Sequence, residues 1–459
     1  MDMGEVHSSR LPTVTSENSP LLPPTREAAL PEFEILPRGD KHAWMHSPDL
    51  EVTGELGSGG MAVVQAAQQC SLGRSVAIKL SHHASPNTNT FRSVIKEARI
   101  MGRLDHPNIP PIHMLGRNEA GNVVMVMKQI EGDSLSDLIG DPSHPRWSTV
   151  HLDREEWVLR VFMQICQAVQ YAHSKGILHR DIKADNVMTG DFGLVYLIDW
   201  GIAVELDDLG SFQAKSFCGT PSHAAPEMVR APRQLSVATD IYLLGALLHE
   251  VLTGRPPHTG EDTRECLQMA ERSETKAYTE KIDGELAGLC RRAMHRDPEQ
   301  RFEDAGAFLR AVESYLAQRH IRALVATALD LRIQVRQQLH LASEDTSAFH
   351  TLATRCRFAF EQARDAGASP EVVRRGLSEC IEAQLHQALH TEAFQMARVY
   401  LRELSDLDSV AFADLDLLVT QIEQAEQAAK LRRDEITTQI QYRLMARLEQ
   451  AEAALQDKK

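Results

Sequence analysis

Residues 179–201 hold two Asp-x-Gly triplets eight positions apart, and the pattern around them admits few folds. The stretch opens with His179-Arg180-Asp181-Ile182-Lys183-Ala184-Asp185-Asn186. It continues as Val187-Met188-Thr189-Gly190-Asp191-Phe192-Gly193 and ends in Leu194-Val195-Tyr196-Leu197-Ile198-Asp199-Trp200-Gly201. Thr189 to Gly193 is rich in turn formers and lies between two apolar runs, so the spacing predicts a hairpin with Asp191 in its loop. Asp199 then falls at the end of the second strand, where its carboxylate can face back toward Asn186. An Asn and an Asp brought together in this way offer hard oxygen ligands to magnesium. Asp191, at the loop, is the decoy of the two triplets.

The order of these residues resembles the catalytic core of protein kinases, in which H-R-D-x-K-x-x-x-N precedes D-F-G. Here Asp199-Trp200-Gly201 takes the place of the second motif, with Trp as the bulky aromatic. Further motifs follow the same family order. Leu56-Gly57-Ser58-Gly59-Gly60-Met61-Ala62-Val63-Val64 resembles the glycine-rich loop, whose glycines let two strands turn and bring N–H groups onto phosphate oxygens. Ala62 stands where the family has its third glycine. Val76-Ala77-Ile78-Lys79 matches the strand motif V-A-I-K, and Glu97 stands at the position of its helical carboxylate partner. Ala225-Pro226-Glu227, Asp240 and Asp297-Pro298-Glu299-Gln300-Arg301 match motifs of the larger lobe.

The resemblance implies an α+β, bilobal protein-kinase fold that uses ATP and Mg2+. It makes Asp181 the catalytic base, Lys183 the residue neutralising charge on the transferred phosphoryl group, and Asn186 and Asp199 the metal ligands. Lys79, anchored by Glu97, would meet the nucleotide phosphates beside Gly57, Gly59 and Gly60. Leu56, Val64, Ala77 and Met127 would line the adenine pocket, with backbone groups near Gln129 and Ile130 at the lobe-connecting segment. Lys183 resembles the Ser/Thr-specific branch, and the whole looks most like bacterial kinases of the eukaryotic type. Protein substrates are the implied partners. A pseudokinase scaffold that binds nucleotide without turnover is the alternative.

Arg180, beside the base, calls for an anion, and in the family it commonly receives a phosphorylated residue of the segment Asp199 to Glu227. Ser216 is the first candidate and Ser211 the second. Thr220 resembles the family threonine that bonds near the base. Ser222-His223-Ala224 replaces the usual Gly-Tyr-Met.

A chain of 459 residues with 43% hydrophobic content has room for two or three domains. Its formal charge of -15 argues against nucleic-acid binding. Seven cysteines without C-x-x-C spacing predict reduced thiols rather than a disulfide framework or a zinc site. With no long apolar run and no secretory signal, the expectation is a cytoplasmic protein without a membrane span. Residues 1–48, rich in Pro, Ser, Thr and Glu, read as a disordered leader, and 49–317 as the kinase domain. Residues 318–408 read as helical hairpins with a weak tetratricopeptide-like spacing, Ser369 being an N-cap before Pro370. Residues 409–459 read as one long helix, either a coiled coil that joins a homodimer or a helical partner, or a helix packed on its own domain.

Overall fold

The computed structural model describes residues 35–36, 49–58, 62–81, 89–275, 277–280, 282–340, 346–407 and 415–456. The leader reading for 1–48 (apart from 35–36), Gly59, Gly60 and the helix break near 344–345 lie outside the described residues. The chain forms two compact units, Met1–Tyr315 and Leu316–Lys459.

The first unit begins with a sheet of β1 (Ile35–Leu36), β2 (Leu50–Ser58), β3 (Ala62–Gln69), β4 (Arg74–Ser81), β5 (Ile112–Arg117) and β6 (Val123–Lys128). The strand order is β1-β2-β3-β4-β6-β5, with β1 parallel to β2 and the other pairs antiparallel. Because side chains alternate across a strand, the sheet has two distinct faces. Val76 and Ile78 join Leu50, Ala67, Val124 and Val126 in a packed apolar cluster. The intervening Ala77 and Lys79 point to the other face. There the register sets Gly57 against Val64, Val64 against Lys79, and Lys79 against Met125; Ala66, Ala77 and Met127 form the next row. Helix α1 (Asn89–Met101) carries Glu97.

A short β7 (Asp133–Ser134) and α2 (Leu135–Gly140) lead into α3 (Arg154–Ser174). Asp153 caps α3 by accepting from the Glu156 N–H, and Glu155 and Glu156 lie in its first turn, where the helix dipole favours acids. Then come β8 (Ile177–Leu178), β9 (Val187–Thr189), β10 (Val195–Leu197), β11 (Val204–Glu205) and β12 (Phe212–Ala214). After them follow α4 (Pro226–Val229), β13 (Arg233–Leu235), α5 (Val237–Thr253), α6 (Thr263–Arg272) and α7 (Gly284–Ala293). Apolar almost throughout, α5 is buried from Thr239 to Glu250. Gly245 lets it approach α7 closely, since an added Cβ would come 2.6 Å from the Ala293 Cβ. Arg301, with a fully buried side chain, forms a bidentate pair with Glu227 at 2.7 and 2.9 Å and also donates to the Ala238 carbonyl.

Helix α8 (Ala305–His340) runs without a break through residue 318, where the composition suggested a boundary. In the second unit α9 (Thr346–Asp365), α10 (Pro370–His390), α11 (Phe394–Leu407) and α12 (Leu415–Gln456) follow. Ser369 does stand at the N-cap of α10, but its side chain makes no capping hydrogen bond; Pro370 at the first turn starts this helix. None of the described helices is long and apolar enough to cross a membrane.

Removing either member of the Arg301–Glu227 pair strands a buried charge, and we expect Glu227→Ala to cost about 3–5 kcal/mol. Chemical denaturation followed through the first unit's tryptophans checks this; a loss below about 1 kcal/mol would show that the pair is dispensable.

Candidate active site

The hairpin at 187–197 decides which triplet enters the site. Val195 pairs with Thr189 and Leu197 with Val187, so β9 and β10 are antiparallel and Asp191–Gly193 forms the turn. Phe192 is fully exposed there with a left-handed φ of 57°, and Asp191 is held outward by Arg146 at 3.2 Å. Trp200 is completely buried: its indole N–H donates to the Leu197 carbonyl, and its ring meets His179 edge-on at 4.6 Å. The Ile198 N–H donates to the Asn186 carbonyl, which ties the start of the second triplet to the first strand. Asp199 adopts φ 61° and Arg180 φ 72°, a conformation that costs side-chain-bearing residues energy and collects at functional sites.

Lys79 donates to both oxygens of Glu97 at 2.7 Å and lies 4.0 Å from Asp199 Oδ1. Burial opposes the charge on Lys79, but Glu97 and Asp199 outweigh it and hold the ammonium above its ordinary value. Gly201 keeps the ends of this triad close, since an added Cβ would come 3.1 Å from Asp199 Oδ1 and 3.5 Å from Glu97 Oε2.

Asp181 sits at the centre of a second buried cluster. Thr220 Oγ1 donates to Asp181 Oδ1 at 2.6 Å and accepts from Lys183 Nζ at 2.8 Å. Lys183 Nζ is 3.4 Å from Asp181 Oδ2. The Asn186 amide nitrogen donates to the Asp181 carbonyl at 2.8 Å and to Oδ2 at 3.2 Å, so the amide oxygen is the atom with which Asn186 would meet a cation. His179 accepts the Asp181 N–H on Nδ1 and bonds the Ile198 carbonyl through Nε2. Burial holds its imidazolium pKa down, so it is the neutral tautomer with the proton on Nε2. Beneath both lies fully buried Asp240. Its Oδ2 accepts from the His179 N–H at 2.8 Å and bonds His173 Nε2 at 2.9 Å; its Oδ1 accepts from the Arg180 N–H at 2.9 Å. Burial would raise the Asp240 carboxyl, but these partners keep it below the usual carboxylate value.

Of the nucleotide-facing residues expected from sequence, Gly57, Val64, Ala77 and Met127 fall in the rows beside Lys79, while Leu56 is half exposed at the end of β2. Gln129 and Ile130 follow β6 directly. Gly132, just beyond, has φ 146°, and an added Cβ would fall on the Thr189 carbonyl oxygen, so the connecting segment rests against β9.

Two arrangements were not apparent from sequence. His223 Nε2 bonds Glu250 Oε2 at 3.0 Å, and the same oxygen accepts from the Ala184 N–H at 3.0 Å. Ser222 Oγ bonds the other ring nitrogen at 3.0 Å. The residues that replace Gly-Tyr-Met are therefore tied to the loop that carries Asp181 and Lys183. The signal was His249-Glu250 inside the apolar run of α5. The second arrangement is a set of cations: burial and then the charge of Arg180 push Lys96 down to about 8. Arg180 Nη1 donates to the Ile202 carbonyl, its guanidinium lies 5.4 Å from the Phe212 ring, and its buried Nε has no partner among the described residues.

This arrangement is that of a protein kinase, and comparison with known proteins agrees. The protein kinase domain family matches residues 50–312, more than half of the chain, and the chain belongs to that family. It is 33% identical over 256 residues to the serine/threonine-protein kinase PrkC of Bacillus subtilis, covering 54% of this chain and 38% of the relative. It is 30% identical over 293 residues to PknD of Protochlamydia amoebophila, covering 58% and 30%, and 32% identical over 290 residues to PknD of Chlamydia muridarum, covering 57% and 31%. The chain thus spans about a third of the length of these relatives.

Asp240→Asn puts an amide N–H2 against buried donors, and we expect a loss of about 3 kcal/mol with faster exchange of the His179 and Arg180 amides. The folded-state Asp240 pKa lies below its ordinary 3.8, so its contribution is present above about pH 4 and lost as pH falls through the folded value. Denaturation between pH 7 and pH 2 should show an acid-dependent loss that is smaller in Asp240→Asn. Unchanged acid sensitivity would remove Asp240 as its source.

Proposed function

We propose that this chain transfers the γ-phosphoryl group of ATP to Ser or Thr hydroxyls of proteins, with magnesium as cofactor. The observation that carries the reading is the convergence of Asp181, Lys183, Asn186 and Thr220 in one buried hydrogen-bonded cluster, with Lys79 and Glu97 paired next to Asp199. The division is a leader over 1–48, the kinase domain over 49–317, helical hairpins over 318–408 and a long terminal helix over 409–459.

Asp181 Oδ2 would orient the attacking hydroxyl and take its proton. Lys183, 3.4 Å from that oxygen, would balance charge on the moving phosphoryl group. Lys79 would hold nucleotide phosphates, its position fixed by Glu97, while Gly57, Gly59 and Gly60 present backbone N–H groups to them. Leu56, Val64, Ala77 and Met127 would enclose the adenine, with Gln129 and Ile130 bonding its edge. A half-exposed carboxylate on Asp199 and the amide oxygen of Asn186 are a hard donor pair suited to magnesium. Bound there, magnesium would neutralise phosphate charge.

Autophosphorylation of Ser216, with Ser211 second, is the proposed switch. Support comes from the cation Arg180, whose buried Nε has no partner among the described residues and whose charge reaches Lys96; a phosphate would satisfy both through charge-assisted hydrogen bonds. The free, mostly buried thiols fit a reducing cytoplasm. Leu431, Ile436, Ile440 and Leu444 are exposed along α12 and fit a homodimer or another helical partner.

Radiolabelled ATP transfer by the purified chain, with phosphosite mapping, is the test. Asp181→Asn should lower transfer by at least about a hundredfold without unfolding the protein. Asp199→Asn should be crippling and Asp191→Asn nearly silent; the reverse order would assign the metal to the exposed triplet. Ser216→Ala should lose the mapped phosphate and part of the activity. ATP binding without transfer to any protein would favour a scaffold instead.

A further inference from the structure

Helices α9 and α10 face each other through small residues and cysteines. An added Cβ at Gly376 would fall on the buried Phe360 ring, which fixes those two positions as opposite. One turn further in each helix, in opposite chain directions, lie Cys356 and Cys380. Cys380 Sγ donates to the Ala353 carbonyl of the facing helix at 3.5 Å, and Cys356 Sγ to the Ala328 carbonyl at 3.9 Å. Ala353 and Ala383 continue the contact as small buried residues. The contacts of 376 with 360 and of 380 with 353 describe one antiparallel register, so the helix packing brings the two cysteines to the same level of one apolar cluster.

Both cysteines are free and almost wholly buried, but Cys380 also lines a cavity of about 470 Å³. Arg332, Arg336, Glu379, Glu382 and His386 share its wall, and Arg336 and His386 are exposed. A small polar solute entering this cavity therefore meets the wall that Cys380 helps to form.

We propose that Cys356 and Cys380 are an oxidative modification site, converted by hydrogen peroxide into a disulfide that joins α9 to α10 and restored by thiol reductants. In the first step a thiolate of the pair attacks one peroxide oxygen, the O–O bond breaks, and the departing hydroxide takes up the thiol's proton as water. The sulfenic acid so formed is attacked by the second sulfur; the S–S bond forms and a second water leaves with the second thiol's proton. Two thiols are oxidised by two electrons and one peroxide is reduced to two waters. The neighbouring Cys380 thiol, and then the charge of Arg332, hold the Cys356 thiol below its ordinary value against the effect of burial. Within the pair the Cys356 thiol and then burial push Cys380 up, as burial does at Cys166 and Cys290, so Cys356 is the member held below its ordinary value.

The site does not depend on the phosphotransfer reading. The test treats the full chain with graded hydrogen peroxide, alkylates the remaining thiols, and maps all seven cysteines by mass spectrometry without reduction. We expect a peptide bridged between Cys356 and Cys380, formed at a rate independent of protein concentration and removed by dithiothreitol. Cys356→Ser and Cys380→Ser should each abolish that bridge. The proposal is overturned if both residues remain alkylated when exposed Cys70 is already oxidised, if either stops at a sulfinic acid, or if either pairs with another cysteine. Because the wild-type map alone is decisive, a variant that fails to fold does not rescue the idea.

Discussion

One buried carboxylate orders the candidate active site of this molecule. Asp240 lies in the most apolar helix of the first unit, where an unpaired charge would be very costly. It is held there by two backbone N–H groups and an imidazole, all from α3 or from the segment that precedes Asp181. Those bonds hold the backbone at His179 and Arg180, and Arg180 takes its left-handed turn on that support. From this point the geometry spreads outward. His179 reaches Ile198, Ile198 bonds Asn186, and Asn186 returns to Asp181. His179, Asn186 and Asp181 thus belong to one connected hydrogen-bond system, and a displacement in any member is felt by the others.

Much of this was legible in the sequence because chemistry restricts residue choice there. Lys79 and Glu97, 18 positions apart, meet at 2.7 Å. The same holds for Glu227 and Arg301, which are 74 positions apart. Turn composition was enough to separate Asp191 from Asp199, since a loop rich in Gly and Thr between two apolar runs has few other uses. The replacement of Gly-Tyr-Met by Ser222-His223-Ala224 was visible only as a departure. Its partner Glu250 is 27 residues away on a helix, and a buried acid in an apolar run announces that it has a partner without naming it. Similarly, Lys96 is one more surface-like lysine in the sequence, and only the fold buries it within reach of the charge of Arg180.

The second unit was harder to read, for a different reason. Its helices lack motifs, and their contacts are set by shape: Gly376 makes room for Phe360, and alanines allow the close approach on either side. Small residues at such positions look the same in sequence as alanines chosen for helix propensity. The change of composition near residue 318 marks no structural break, because α8 continues through it.

Trp200 has a mechanical consequence. An indole of this size buries on the order of 200 Å². Taking it out of its pocket would expose that area at a cost of about 5 kcal/mol, before counting its bond to Leu197. Backbone rotation that turned Asp199 away from Lys79 would have to carry the neighbouring ring with it. The tryptophan therefore acts as a latch that holds the neighbouring Asp199 carboxylate beside Lys79.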